Sequence, residues 1–529
     1  MPTRTARLLF LLGASLSVVG IAMSSAVVAV LAAICFLLLG VALAMTMPLG
    51  RRVRRCQLEF AWWLAPTAAG GAVVPGAPFE VRCFVRHRAN FPVHLTQLDP
   101  IVPGGTTIVD DRPRTLLLSP GVRTEFQLLM TAPAVGRIVL HGMAVAVRDP
   151  WGMFDVPLYF PNPLVIKVLP RVAAFSRTMP RATGGLPVER RGRIQQRRRG
   201  GGTELYELRE LVPGDPFRSI AWKASARVGK LMVKEVEEEV QRTRWIIVDV
   251  GGSMRGGTPG HTRLDRAIER AAVETRGALD SGDRIGLLTV DGRIIRQVKA
   301  KDDRAQLIRV FDALVSATEI VDEDLTDIDD EALVATVGRY LQRQDGVDFS
   351  QRGNGAWDVP RLVRYIGRQI PKDAPSPEAN SSPMSNLRSY CKARGIPLPY
   401  RADPPLGAKA KGLADALRAA VLSDRAPSEF LILSDLDGIT DFSPLVDATR
   451  LLRRHGHSVV FEIPVADTAQ TTDDTSATPP SLADDLRIVY SRMERRTIHQ
   501  AERTLGRVGA TVVHERPHAS IPRHGQRAA

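Results

Sequence analysis

Residues Gly202 to Met254 read GTELYELRELVPGDPFRSIAWKASARVGKLMVKEVEEEVQRTRWIIVDVGGSM, and the last ten of them decide the fold. The apolar run Trp245-Ile246-Ile247-Val248 delivers Asp249 to a glycine-rich turn and then to Ser253. A run of that kind, stopped by an acid and two glycines, reads as a buried parallel strand reaching the carboxyl edge of an α/β sheet. Open α/β sheets bind their ligands at that edge.

Downstream, helix and strand signals alternate. Arg263 to Leu279 is amphipathic, with Leu264, Ala267, Ile268, Ala271 and Ala272 on one face. Strands are expected at Arg284–Val290, Glu429–Ser434, Ser458–Ile463 and Thr511–His514, with helices at Leu333–Leu341, Leu445–His455 and Arg495–Val508. Alternation of this kind predicts a doubly wound, mostly parallel sheet. Two stretches interrupt it. Residues 344–427 are too long for a plain connection, and helices are expected there at Val359–Ile370 and Gly412–Leu422 around a Pro/Ser/Asn-rich centre. Residues 466–485 are polar and read as a disordered loop.

Upstream, no charged residue occurs from Leu8 to Gly50. That is far more than one membrane span of ~20 residues needs and exceeds the ~7–15 residues of a signal-peptide core. It predicts two spans, Leu8–Met23 and Ala26–Met47, broken at Ser24-Ser25. Arg4 and Arg7 precede the first span, and Arg51, Arg52, Arg54 and Arg55 follow the second. Positive flanks on both sides predict that both ends, and all that follows, stay in the cytoplasm. The four scattered cysteines show no metal-ligand spacing. From 51 to 170, alternation at Val81, Cys83 and Val85 and recurrent Pro/Gly turns predict an all-β sandwich of immunoglobulin-like type.

The 529-residue chain carries a net charge of +14. The excess is conspicuous in Arg190, Arg191, Arg193, Arg197, Arg198 and Arg199. Without interleaved aromatics or a recognition motif, these predict a solvated basic linker, with contact to anionic lipid as second reading and nucleic acid a distant third.

The strand, acid and serine resemble the first strand and metal-binding loop of a von Willebrand factor A-type domain. The preceding Leu208-Arg209-Glu210, Pro213-Gly214-Asp215, Arg218, Ile220-Ala221-Trp222-Lys223 and Ala226-Arg227 are similar to the signature of the bacterial DUF58 family. Asp149-Pro150-Trp151-Gly152-Met153-Phe154 and Ser281 to Leu288 add to the likeness. The resemblance implies a membrane-anchored protein with a von Willebrand A-like domain, working with a MoxR-type AAA+ ATPase in the assembly of other proteins. The expected organisation is a transmembrane hairpin (1–50), a β-sandwich (51–170), a basic linker (171–201) and the signature segment (202–244). A von Willebrand A-like domain (245–516) follows, with insertions at 344–427 and 466–485, and then a tail (517–529).

The resemblance also implies an Mg²⁺ site. Asp249 takes the first acid position, Ser253 the second serine, Asp435 the later acid and Thr326 the threonine, with Thr318 as a rival for the last. Gly251 stands where the pattern has a ligand serine, so a water is expected there. The rival reading is a degenerate site in which Asp249 caps its own turn. Arg209, Asp215, Arg218, Trp222, Lys223 and Arg227 are expected to form either a partner-docking face or a packed domain junction, with buried Trp222 favouring the junction. The sequence contains neither G-x-x-x-x-G-K-[ST] nor G-x-S-x-G. The expectation is therefore a non-enzymatic adaptor with protein partners and no nucleic acid. The alternative is an Mg²⁺-dependent enzyme using Asp249 and Asp435.

Overall fold

The computed structural model describes residues 1–52, 58–65, 72–88, 92–103, 105–109, 115–171, 196–213, 215, 217–238, 242–351, 356–368, 382–401, 405–423, 427–465 and 482–514. The basic linker from 172 to 195, the loop 466–481 and the tail lie outside the described residues. The chain divides into two units: Met1–Leu169 with Thr318–Arg401, and Pro170–Ala317 with Ala402–Ala529.

The first unit opens with α1 (Arg4–Ala22) and α2 (Ala26–Arg52), both long and apolar enough to cross a membrane. They turn at Ser24, whose φ of 46° is left-handed. Ala6, Gly13 and Gly20, seven residues apart, form the buried seam of α1. A Cβ on Gly13 would lie 3.2 Å from Cys35 Cβ, and one on Gly20 would lie 3.2 Å from the Ala29 nitrogen. Small residues let the two helices approach closely where lipid offers no hydrophobic drive. Leu8, Leu11, Ile21, Val27 and Leu37 point outward.

The sandwich follows as two four-stranded antiparallel sheets around one core. The first sheet, β1-β2-β6-β4, uses β1 (Leu58–Leu64), β2 (Pro78–His87), β4 (Thr107–Val109) and β6 (Arg123–Thr131). The second, β5-β3-β7-β8, uses β3 (Val93–Ile101), β5 (Leu116–Leu118), β7 (Gly136–Arg148) and β8 (Asp155–Val168). Alternating apolar residues of β2, namely Phe79, Val81, Cys83 and Val85, fill that core, as the period of two requires. Asp149 explains the Asp149–Phe154 motif. Its carboxylate accepts from the Trp151 nitrogen at 3.0 Å and the Phe154 nitrogen at 2.6 Å, which closes the β7–β8 turn with Gly152 at φ 71°.

That turn also holds the chain start. The Thr3 nitrogen donates to Met153 O at 2.9 Å, Thr3 Oγ1 to Gly152 O at 2.8 Å, and the Asp155 nitrogen to Met1 O at 2.8 Å. Residues that pair in this way lie on one side of any bilayer that α1 and α2 cross. Reporters fused before Met1 and after Arg171 should therefore read the same compartment. Opposite readings would be incompatible with this pairing.

The first unit also takes in α6 (Asp330–Gln344), α7 (Val359–Gly367) and α8 (Pro383–Arg394), which share a core of Leu333, Val337, Leu341, Leu362, Ile366 and Leu387. His141 Nδ1 on β7 meets Tyr340 Oη at 2.8 Å, and a Cβ on Gly395 (φ 62°) would lie 2.8 Å from Val139 Cγ2. This corrects the expected domain boundary. Residues 318–401, α6 among them, group with the sandwich rather than with the α/β domain. The helix α8 also takes in part of the Pro/Ser/Asn-rich centre of this stretch.

In the second unit, β9 (Gln196–Glu210) and β10 (Met232–Glu238) form an antiparallel pair, with α3 (Trp222–Val228) between them in sequence. Strand β9 begins at Gln196, so the last part of the expected linker is strand. The main sheet has the order β13-β12-β11-β14-β15-β16. Its strands are β11 (Thr243–Asp249), β12 (Arg284–Asp291), β13 (Arg293–Lys301), β14 (Ser428–Leu433), β15 (Ser458–Ile463) and β16 (Thr511–His514). All neighbours pair in parallel except β12 with β13. Every residue of β11 is buried, as its unbroken apolar run predicts. Gly286 sits opposite Trp245 in the register, and a Cβ there would come 2.6 Å from the indole ring.

Helices α4 (Arg263–Asp280), α5 (Ala305–Thr318), α9 (Ala408–Ser423), α10 (Ser443–Arg454) and α11 (Leu482–Gly506) complete the unit. Thr262 and Asp265 form a capping box that starts α4. α11 begins at Leu482, so the last residues of the stretch expected to be disordered are helical. α9 corrects the insertion reading, because Ala410, Leu413, Ala414 and Leu417 share one core with Trp245, Ile247 and Leu288. A Cβ on Gly412 would lie 2.7 Å from the Gly292 carbonyl carbon, so the bare glycine lets α9 press onto the β12–β13 turn. That close approach fixes where Lys409 stands.

Candidate functional site

The strand order reverses at β11. The next strand, β12, lies on one side of it and β14 on the other. The crevice beyond the carboxyl ends of β11 and β14 is therefore the switch point where such sheets bind ligands. Asp249 ends β11, and Asp435 follows β14 by two residues. Both are buried to 1% exposure. Leu436, at φ 55°, takes a backbone conformation costly for a branched side chain and turns the chain sharply after Asp435.

Lys409, from the first turn of α9, fills the space between the acids. Its Nζ lies 2.6 Å from Asp435 Oδ1, 3.0 Å from Asp249 Oδ2 and 2.7 Å from Ser253 Oγ. Arg263 Nη1 reaches Asp435 Oδ2 at 3.1 Å. Ser434 Oγ donates to Asp249 Oδ2 at 2.6 Å, and the Gly251 nitrogen donates to Asp249 Oδ1 at 2.9 Å. Burial by itself lowers the Lys409 pKa, but Asp249 and Asp435 outweigh it and hold the ammonium above its ordinary value. Burial raises Asp435, yet Lys409 and Arg263 keep its carboxyl below the usual range. Asp249 lacks the arginine. Burial, with the Asp435 charge adding, raises its carboxyl by more than Lys409 lowers it.

Three of the four expected ligands thus come together: Asp249, Ser253 and Asp435. Thr326 is not among them. It belongs to the first unit, where its buried hydroxyl donates to Asp322 O at 2.9 Å and accepts from Arg388 Nη1. Its rival Thr318 begins a segment of that same unit. Lys409 was missed because its helix read as part of an insertion. The signal available was the recurrence of apolar Ala410, Leu413, Ala414 and Leu417 on one helix face. Among the described residues, no group of three or more His, Cys, Asp or Glu side chains is placed to hold a metal.

The signature segment forms a second cluster. Arg209 Nη1 and Nη2 grip Asp215 Oδ2 and Oδ1 at 2.7 Å each, and Asp215 Oδ2 also accepts from the Val212 nitrogen at 2.9 Å. This bidentate pair sets the turn after β9. Ser225 Oγ accepts from the Met232 nitrogen at 2.8 Å and donates to Ala221 O at 3.0 Å, tying α3 to β10. Ile220, Ala221 and Val233 are buried beneath.

Trp222, expected to be buried, lies at the surface of its own unit. Trp222 is 65% exposed, Phe217 81% and Val228 60%. Ala221 and Ser225, one turn apart, are turned inward, while Trp222, Lys223 and Arg227 are exposed. Arg218, Lys223 and Arg227 are exposed, and none is in an ion pair among the described residues.

A family profile described as "Protein of unknown function DUF58" matches residues 207–344, so the chain carries a DUF58 domain. Uncharacterized protein Rv1480 of Mycobacterium tuberculosis is 30% identical over 105 residues, covering 20% of this chain and 33% of that protein. Uncharacterized protein Mb1516 of Mycobacterium bovis matches to the same extent. The chain thus spans about a third of the length of these curated relatives.

Among solved structures, an aerotolerance-related membrane protein from Bacteroides fragilis is 9% identical with a TM-score of 0.21, over 52% of this chain and 92% of that one. The conserved hypothetical protein BatB from Bacteroides thetaiotaomicron is 10% identical with a TM-score of 0.20, over 52% and 90%. Likenesses at these TM-scores do not establish a shared fold.

Proposed function

We propose that this chain is a membrane-anchored adaptor without chemistry of its own, which holds a partner protein on the Phe217–Trp222 face of its DUF58 domain. The observation that carries the reading is that face. Two aromatic side chains stand out from a rigidly tied module, flanked by Arg218, Lys223 and Arg227. A buried aromatic removes about 150–250 Å² from water, and Trp and Arg are over-represented among residues that dominate binding energy. A partner with an apolar pocket rimmed by acidic groups fits this composition.

In this reading, α1 and α2 anchor the chain, with the sandwich and the DUF58 domain on the cytoplasmic side, as the flanking arginines favour. The six-stranded sheet is a von Willebrand A-like domain. The sequence has no phosphate-binding loop, so energy for remodelling comes from the partner, which we take to be a MoxR-type AAA+ ATPase. We read Asp249 and Asp435 as structural rather than catalytic, because each is already engaged by a cationic side chain.

Crosslinking and pull-down of the full chain from membranes, with identification of the captured proteins, tests the proposal. Phe217→Asp with Trp222→Ala should lower recovery of the AAA+ partner about 100-fold, in line with the loss of a hot spot. Asp249→Asn should leave recovery unchanged. Full recovery by the Phe217/Trp222 variant would refute docking on this face.

A further inference from the structure

The crevice at the ends of β11 and β14 presents three oxygen donors to one cation, and that cation comes from the chain itself. An ammonium group has three protons to give and accepts nothing. Those of Lys409 are matched by Asp435 Oδ1, Asp249 Oδ2 and Ser253 Oγ at 2.6, 3.0 and 2.7 Å. No proton is left over to recruit a further acid.

The same oxygens do not fit Mg²⁺. That ion asks for near-octahedral oxygens at about 2.0–2.1 Å, and it would have to share the crevice with a positive charge. Thr326 is committed to Asp322 and Arg388 in the first unit, and residue 251 offers no hydroxyl. Placing a side chain at 251 meets resistance too. A Cβ there would lie 3.0 Å from Asp249 Oδ1 and 3.4 Å from Asp291 Oδ1. A serine at 251 would therefore crowd Asp249 and Asp291.

We infer that Lys409 is the resident cation of this crevice, standing where a divalent metal would otherwise be required, and that the strand-end face of the DUF58 domain works without metal. The inference rests on the geometry around Lys409 and is independent of where a partner docks. It follows that a partner carboxylate cannot be held there by completing a metal shell, and that chelators leave the domain's contacts unchanged.

Electron paramagnetic resonance of Mn²⁺ titrated into the full chain in detergent provides the test, with Asp249→Asn separating this crevice from other acidic groups. Wild type should show no Asp249-dependent Mn²⁺ uptake at millimolar ion. Lys409→Ala, which takes the ammonium from between the carboxylates and leaves Asp435 with Arg263, should take up about one Mn²⁺ per chain, and the added Asp249→Asn change should abolish it. If the alanine variant does not fold by circular dichroism, Lys409→Ser serves in its place, and the wild-type titration stands regardless. Asp249-dependent uptake by wild type would overturn the inference. So would a folded Lys409 variant with no such uptake, because the ammonium would then not be what occupies the cation's place.

Discussion

Lys409→Met should destabilise the α/β unit by about 3–5 kcal/mol, the range expected when one partner of a buried ion pair is removed. Methionine preserves most of the stem that lies along the sheet but deletes the ammonium. Asp249 is then left with two neutral donors, Ser434 Oγ and the Gly251 nitrogen, while Asp435 keeps Arg263. Both carboxylates remain buried, and only Arg263 on the Asp435 side still offsets their mutual repulsion. Hydrogen exchange of the β11 and β14 amides in the full chain reads the effect locally. Exchange should quicken roughly 10²–10⁴-fold, at 1.4 kcal/mol per factor of ten. Asp249→Asn in the same chain should recover much of the loss, because the amide removes the unpaired charge and still accepts from Ser434. A Lys409→Met protein with unchanged exchange would mean that the ammonium contributes nothing net to the fold.

The elements legible in the sequence were those whose signal is local. The unbroken run Trp245–Val248 gave a buried parallel strand, and the apolar face of Arg263–Leu279 gave α4 within one residue of its end. The uncharged stretch from Leu8 to Gly50 gave two apolar helices with a turn at Ser24. Asp249, Ser253 and Asp435 were singled out through the resemblance to a von Willebrand A-type metal loop, and each lies at or just beyond the end of a strand with a local signal. Lys409 was not, since what brings it to Asp249 is the approach of α9 to the β12–β13 turn, 160 positions along the chain. Thr326 was misplaced for the same reason. A threonine before a helix reads alike wherever the fold puts it, and only the division of the chain after Ala317 assigns it to the other unit. Trp222 was expected to be buried on a compositional prior for tryptophan, and it is exposed on a short helix whose Ser225 turns inward.

Arg244→Met should cost a similar amount, about 3–5 kcal/mol, through a network with no local signature at all. Arg244, on β11, sends Nη1 to Glu274 Oε1 at 2.6 Å and Nη2 to Asp283 Oδ2 at 2.8 Å, with Nε 3.5 Å from Glu429 Oε2. Glu274 is also held by Arg270 at 2.9 Å, Arg270 by Glu462 at 3.0 Å, and Glu429 by Arg242 at 2.9 Å. Asp283 explains the Ser281–Leu288 motif, because it joins β11 to the turn before β12 and also accepts from the Arg242 nitrogen at 3.3 Å. Methionine at 244 strands Asp283, which is 7% exposed, without its arginine. Glu274 keeps only Arg270. The cost arises from those orphaned acids rather than from any large net attraction in the intact network, and this distinction is measurable. Adding Glu274→Gln and Asp283→Asn to Arg244→Met removes the orphaned charges and should restore most of the stability, since well-matched neutral replacements of buried ion clusters are often close to neutral. Exchange protection of β11 and β12 across the single, double and triple variants reports the coupling directly. If the triple variant is as unstable as Arg244→Met alone, the orphaned-charge account fails, and Arg244 would be acting through the packing of its stem.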